Sequence, residues 1–221
     1  MIKRVYIICE GETEQEFCST ILMKYFQEKG IYIHCPVIKK TMGGIVQWQY
    51  LKKQIEITLK SDPSAFVTML IDYYGIYKKH NFPNWNKAEK IIDKYERMSI
   101  LEEGMLKDIE DKLSYRFIPY IQLHEFEGLL FNKEEYFYRV IPKEELIGQE
   151  ELKKTFNEFE NPEMINDNPD SAPSKRLKRI IKGYNKIVYG NILAEEIGLR
   201  NIRNKSHRFN KWILQIENIL N

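Results

Sequence analysis

The sequence predicts an open, largely parallel α/β sheet with helices on both faces, followed by a helical C-terminal region. Three observations carry that expectation. Short β-rich runs and amphipathic helical runs alternate through the first half of the chain. The run from Ala65 to Ile71 is apolar almost throughout, as suits a strand covered on both faces. After Phe131 the alternation stops, and Glu/Lys-rich helical segments take over.

In chain order, Lys3 to Cys9 is a first strand, with apolar Val5, Ile7 and Ile8. Glu12 to Lys29 is a helix, because Phe17, Ile21, Leu22 and Tyr25 share one face and Gly30 stops it. Tyr32 to Ile38 is a second strand. Met42-Gly43-Gly44 forms a loop, and Val46 to Lys60 a second helix closed by Ser61-Asp62-Pro63. Ala65 to Ile71 is the third strand. A loop with Gly75, Pro83 and Trp85 leads into Asn86 to Leu113, which reads as mostly helical with an interruption near Gly104. Phe117 to Leu123 is the fourth strand. The βαβαβαβ order implies parallel pairing and right-handed crossovers. Residues 1–131 then form the α/β core, and residues 132–221 a basic helical region packed on it. That region holds helical segments up to Glu160, a loop with Pro162, Pro169 and Pro173, and two or three final basic helices. No internal repeat or low-complexity stretch interrupts the chain.

Composition narrows the class. With 221 residues and 43% hydrophobic content, the chain can bury a sizeable core as one large domain or a domain with an appendage. No apolar run approaches the roughly 18 residues of a membrane span. Met1-Ile2-Lys3-Arg4 leads straight into a strand too short for a signal h-region. Cys9, Cys18 and Cys35 are odd in number and form no CxxC pair, so they read as reduced thiols of a cytoplasmic protein. The net charge of +2 hides an asymmetry. From Ser171 onward there are 11 Lys/Arg against 3 Glu, out of totals of 34 and 32, so the tail is about +8 and the body about −6. An acidic body with a basic tail suits a protein that holds a cation in one place and a polyanion in another. Charge alone is better met by a solvated helical face.

Ligands of open parallel sheets bind beyond the carboxyl ends of the strands. Three strands deliver carboxylates there: Glu10-Gly11-Glu12-Thr13-Glu14 after the first, Asp72-Tyr73-Tyr74-Gly75 after the third, and His124-Glu125-Phe126-Glu127 after the fourth. Grouped carboxylates repel one another, and a hard divalent cation such as Mg²⁺ or Mn²⁺ relieves that repulsion. Each piece also has a plainer structural meaning. Glu12 and Glu14 suit a helix start, Asp72 suits a turn, Glu125 and Glu127 are two apart and need not share a face, and a lone His124 is commonly a hydrogen-bonded core residue.

At these residues the chain resembles a known family. Glu10-Gly11-Glu12-Thr13-Glu14 after a hydrophobic strand is similar to the first motif of Toprim domains, and Asp72 to the first acid of their DxD motif. Tyr120-Ile121-Gln122-Leu123-His124-Glu125-Phe126-Glu127-Gly128-Leu129-Leu130-Phe131 resembles the hallmark of a small bacterial Toprim-like family of unassigned function. Asn161-Pro162-Glu163 with Ile165-Asn166-Asp167, Ala172-Pro173-Ser174-Lys175-Arg176 and Ala194-Glu195-Glu196-Ile197-Gly198-Leu199 extend the likeness over nearly the whole chain. The resemblance implies a Rossmann-like Toprim fold and kinship with nucleases of the overcoming-lysogenisation-defect type. Tyr74 departs from it, standing where a full Toprim site has an acid.

The expected activity is therefore phosphodiester hydrolysis of DNA or RNA by a Mg²⁺- or Mn²⁺-dependent endonuclease. Glu10, Glu14, Asp72, Glu125 and Glu127 are the candidate metal ligands. Glu10 is also the candidate general base, or acid for the leaving oxygen, His124 the group that orients a ligand or shuttles a proton, and Lys175 or Arg176 the cation for charge developing on phosphate, with Asp72 and Glu127 completing the catalytic set. Lys175, Arg176, Lys178, Arg179, Arg203 and Arg208 are candidates for nucleic-acid backbone contacts. Phe209, Trp212 and Ile216 recur at helical spacing and read as core. Expected partners are nucleic acid, a second copy of the chain and, as the resemblance implies for phage defence, a separate ABC-type ATPase. No GxxxxGK[ST] occurs here to bind ATP. Two other readings stay open: a non-catalytic Toprim-like module that binds nucleic acid or protein, and a metal-dependent phosphotransferase or phosphatase acting on small molecules.

Overall fold

The computed structural model describes residues 3–39, 44–166 and 170–220. Met1, Ile2, Met42, Gly43, Asp167 and Pro169, which entered the expectations above, lie outside the described residues. The chain forms two compact units. The first is Met1–Leu123 with Trp212–Asn221, and the second is His124–Lys211.

The first unit is a parallel sheet. β1 (Lys3–Cys9) pairs with β2 (Ile31–His34) on one side and β3 (Ala65–Asp72) on the other. β4 (Phe117–Ile118) and β5 (Ile121–Gln122) both pair with β3, so the order is β2-β1-β3-β4, with β5 further along β3. Val67 faces Phe117 and Ile71 faces Ile121, one continuous register. The expected fourth strand is thus a single line of chain broken at Pro119, which has no N–H for the ladder. β2 is shorter than expected, and the chain rejoins β1 where Val37 bridges Cys9.

Helices fill the crossovers. α1 (Glu12–Phe17) and α2 (Met23–Gln27), joined by a π turn at Cys18–Leu22, link β1 to β2. α3 (Trp48–Ser61) links β2 to β3, and α4 (Trp85–Ala88), α5 (Lys94–Asp108) and α6 (Asp111–Ser114) lie before β4. The first crossover steps one way across the sheet and the next two the other way. Right-handed connections therefore put α1 and α2 on one face and α3 and α5 on the other. Trp48 Nε1 donates to Asp108 Oδ2 at 2.7 Å, and Lys52 Nζ lies 3.1 Å from that carboxylate, tying α3 to α5. α5 passes through Gly104 without the interruption expected there. That glycine gives room: a Cβ would lie 2.8 Å from Asn84 Nδ2 and 2.9 Å from the Pro83 carbonyl. Ile121 sends its N–H to Glu102 Oε1 on α5 at 2.9 Å, away from β3.

The second unit is helical: α7 (Glu134–Val140), α8 (Gln149–Glu158), α9 (Pro173–Ile180), α10 (Lys186–Ile197) and α11 (Leu199–Lys205), with α12 (His207–Glu217) beginning in it. The apolar turn Phe126–Leu130 packs against α9 and α10, so the unit starts at His124 rather than after Phe131. Pro173 opens α9 at a position whose N–H has no helical partner to lose. Asn185 caps α10 by accepting from Ile187 N and Val188 N. Gly198, with φ +74°, closes it in a conformation other side chains resist. Glu163 is buried and accepts from Arg208 N and Phe209 N at 2.9 and 3.0 Å, satisfying the first amides of α12.

Trp212–Asn221 returns the chain to the first unit. The Trp212 indole stacks on Tyr120 with centroids 4.6 Å apart, and its Nε1 donates to Thr68 Oγ1 at 2.8 Å. Thr68 Oγ1 in turn donates to the Ile118 carbonyl at 2.6 Å. One buried hydroxyl therefore serves the sheet and the chain terminus together. Thr68→Val keeps the shape and removes the hydroxyl. It should lower the stability of the protein by about 1–3 kcal/mol in urea unfolding, while Thr68→Ser should lose much less. Equal midpoints for wild type and Thr68→Val would show that this link carries no net stability.

Candidate functional site

The connection leaving β1 goes to β2 on one side, and the connection leaving β3 goes to β4 on the other. The crevice beyond the carboxyl ends of β1 and β3 is therefore its topological switch point, where open α/β sheets bind ligands. Cys9 is the last β1 residue paired with β3, opposite Leu70. Glu10 follows, its N–H donating to the Leu70 carbonyl at 3.1 Å. Its side chain then crosses to the neighbouring strand, where Oε2 accepts the Asp72 N–H at 2.9 Å. Glu10 and Asp72 thus stand at the same edge on adjacent strands. Asp72 is 8% exposed and pairs on its far side with Gln122, whose buried amide is fixed by Tyr120 Oη and the Leu123 carbonyl.

The residues around this pair have definite tasks. Glu14, 3% exposed in the first turn of α1, accepts the Gly11 N–H at 2.9 Å. Tyr73, Tyr74 and Gly75 form a 3₁₀ turn after Asp72. A Cβ on Gly75 would come within 3.3 Å of Glu10 Oε1, so a side chain at 75 would press on that carboxylate. Arg97, on α5, donates to Tyr73 Oη at 3.2 Å and is held by the Ile91 carbonyl. The sequence reading passed over Gly75 as a close neighbour of Glu10, and it missed Arg97 altogether. No motif marks either residue, because both reach the strand end through contacts distant in sequence.

The third acidic group lies in the second unit. His124 is buried and takes up φ +64°, an uncommon conformation for a non-glycine residue. Glu125 binds the start of α9: Oε2 accepts Ser174 N at 2.8 Å and Oε1 accepts Ser174 Oγ at 3.0 Å. Glu127 is 1% exposed, with Lys186 Nζ 3.4 Å from its Oε1. Burial raises the Glu125 carboxyl above the usual carboxylate range, opposed by the Ser174 amide and aided by the Glu127 charge. Burial and the same two carboxylates push the Tyr184 phenol far upward, so it stays protonated. Tyr184 and Lys186 follow no recognisable spacing, and sequence reasoning had no signal for them.

The basic candidates divide by environment. Lys175 and Lys178 are exposed on α9. Arg176 is buried: it donates to the Ser171 carbonyl and to Thr155 Oγ1, lies 3.7 Å from Glu158, and stacks over Phe159. Arg179 grips Glu151 through both carboxylate oxygens. Arg203 donates to Asn210 Oδ1 at 2.8 Å, and Arg208 is half-buried at the start of α12.

Among the described residues, no group of three or more His, Cys, Asp and Glu side chains stands ready to hold a metal ion, and no helix is long and apolar enough to cross a membrane. No curated protein and no solved structure matches the chain. A family match does exist, spanning residues 9–217 and so taking in Glu10, Asp72, the His124–Glu127 stretch and the basic helices. The chain belongs to the family described as Domain of unknown function (DUF4276).

Proposed function

We propose that this chain is a Toprim-like, metal-dependent nuclease whose reaction centre is the crevice between β1 and β3. The observation that supports it best is the placement of Glu10 and Asp72 at the switch point of a parallel sheet, with the Glu10 carboxylate fixed by the Asp72 amide. An all-oxygen donor set fits Mg²⁺ or Mn²⁺. Two carboxylates suffice for such an ion, since Mg²⁺ commonly keeps several waters and takes its remaining ligands from substrate phosphate. Gly75 puts no side chain of its own against Glu10. Bound there, the cation would offset negative charge developing on the phosphoryl oxygens and lower the pKa of a coordinated water.

The chain's own residues supply the rest. Glu10, oriented by the Asp72 N–H, accepts the proton of the attacking water. Asp72 holds the cation side of the crevice. Lys175 and Lys178, exposed on α9, contact the nucleic-acid backbone, whereas Arg176 and Arg179 are committed to partners within their own unit. Any ATP-driven step falls to a separate ABC-type ATPase, in keeping with a role in phage defence. A second reading, a binding module without catalysis, draws on Tyr74 standing where Toprim sites carry an acid.

Four measurements test these assignments. Wild type with Mg²⁺ or Mn²⁺ should cut DNA or RNA, and Glu10→Gln and Asp72→Asn should each lose about a hundredfold or more in rate while remaining folded. Mg²⁺ at a hundred times its Kd should stabilise wild type by about 2.7 kcal/mol and Asp72→Asn far less. A wild type that neither cuts nor responds to metal would transfer the assignment to the binding module. Charge reversal at Lys175 and Lys178 should weaken nucleic-acid binding and flatten the log–log salt slope by about 0.9 per lost phosphate contact. An unchanged slope would return both lysines to the solvated face.

The fourth measurement concerns Glu125, which this assignment gives to the start of α9 and not to the cation. Its carboxyl is raised in the folded state, so its share of stability is full below the ordinary carboxylate range and is lost as pH rises through the raised value. Glu125→Gln keeps an acceptor for Ser174 N and a donor for Ser174 Oγ. The variant should melt a few degrees above wild type at neutral pH, with the gain vanishing below about pH 4. A loss at neutral pH would mean that the charge itself holds α9.

A further inference from the structure

One stretch of the acidic body is basic. Residues 76–90 carry Lys78, Lys79, Lys87 and Lys90 against Glu89 alone. The stretch is pinned to the first unit by its apolar side chains: Ile76, Phe82 and Ala88 are buried, and Phe82 lies against Trp48 with ring centroids 5.6 Å apart. Asn84 Nδ2 donates to the Ile100 carbonyl of α5 at 3.0 Å, and His80 Nδ1 accepts the Tyr77 N–H at 3.0 Å. Asn81 and Asn84 turn the chain at φ 54° and 61°, a region that asparagine tolerates better than most residues. The segment so held shapes a cavity of about 460 Å³, within the usual size of a small-ligand site.

The lining has a definite chemistry. Trp85 stands in it with Lys78, Lys87, Asn81 and Asn86. Both lysines are exposed and, among the described residues, form no ion pair. The exposed Asn81 and Asn86 carboxamides offer donors and acceptors. Trp85 Nε1 is buried and meets no hydrogen-bond acceptor among the described residues, so it is a donor that a ligand acceptor would satisfy. The Trp85 ring stacks on Tyr73, with centroids 6.3 Å apart and planes 26° apart. Tyr73 directly follows Asp72, and its hydroxyl accepts from Arg97 Nη1 at 3.2 Å. Through that one ring the cavity adjoins the strand end that carries Asp72.

We propose that this cavity holds one unpaired nucleotide of a single strand whose backbone runs on into the β1/β3 crevice. The base stacks on Trp85, and Lys78 and Lys87 meet the flanking phosphates. The assignment rests on the reading of that crevice as a nuclease centre, and it names the substrate class: single-stranded nucleic acid, or an unpaired loop or end. An aromatic platform beside cations is what single strands require, one for the base and the other for the backbone. A base paired in a duplex keeps both faces in its own stack and reaches an indole only when flipped out. The asparagine carboxamides suit the polar edge that an unpaired base exposes. A free nucleotide carries the same base and phosphate chemistry, so the experiment includes one.

The test is binding by the full chain, read as the anisotropy of a labelled oligothymidylate of about twelve nucleotides in EDTA, which needs no cleavage. Wild type should bind this strand about tenfold or more tighter than a blunt duplex of equal length. Trp85→Ala should weaken single-strand binding by about tenfold or more, and Trp85→Phe, which keeps an aromatic platform, by much less. Trp85→Leu replaces the alanine variant if that one does not fold. Lys78→Gln and Lys87→Gln should each flatten the log–log salt slope by about 0.7. A strand carrying 5-iodouridine should crosslink under ultraviolet light to residues 76–90, and thymidine monophosphate should compete only in large excess. Equal affinity for duplex, unchanged binding by Trp85→Ala, equal losses in Trp85→Phe and Trp85→Ala, an unchanged salt slope in both lysine variants, crosslinks confined to other segments, or displacement by equimolar thymidine monophosphate would each overturn the proposal. A wild type that cuts nucleic acid but gives any of these results keeps the nuclease reading and loses the pocket. One that binds as expected and never cuts keeps the pocket and loses the nuclease.

Discussion

The hydrogen bond from the Asp72 amide to the Glu10 carboxylate is the constraint on which the candidate site depends. It runs between two adjacent parallel strands just past the last shared ladder pair, so it joins strand ends that backbone pairing alone would leave to diverge. A charged acceptor on an amide donor is stronger than a neutral pair. Two acids are thereby kept at one edge of the sheet. The near-continuous burial of β3 supplies the rigid base: Val67, Met69, Leu70 and Ile71 are all fully enclosed, so Asp72 emerges from a strand that cannot shift without disturbing the core.

Other acids use the same chemistry for architecture. Glu14 accepts the Gly11 amide, Glu125 accepts the Ser174 amide, and Glu163 accepts the Arg208 and Phe209 amides. In each case a buried carboxylate meets N–H groups at the start of a helix, where the backbone offers donors and a favourable dipole. An acidic residue after a strand is therefore no guide by itself to catalysis. What separates Glu10 and Asp72 from the rest is their place on neighbouring strands where the strand order reverses.

Much of the fold was legible because its signals are local. Strand runs, the Gly30 stop and the Asp62-Pro63 break are readable in a few residues, and the parallel order follows from their alternation. What was not legible depends on contacts distant in sequence. Gly104 looked like a helix break, but its reason is the approach of Asn84 and Pro83. Pro119 splits a strand only because its neighbours are already in the ladder. Arg176 looked like a phosphate contact, yet Thr155, Glu158 and Phe159 enclose it. Glu125 looked like a candidate metal ligand, and its hydrogen bonds go to Ser174, 49 positions away. Of the candidate site, the sequence revealed which strand ends carry acids, but not what each acid holds.

The central claim is that Glu10 and Asp72 together bind a divalent cation. The most direct measurement is anomalous diffraction from crystals grown with Mn²⁺. The account predicts a peak in the β1/β3 crevice within about 2.0 to 2.6 Å of carboxylate oxygens from both residues. Full Mn²⁺ occupancy elsewhere with none in that crevice would contradict it.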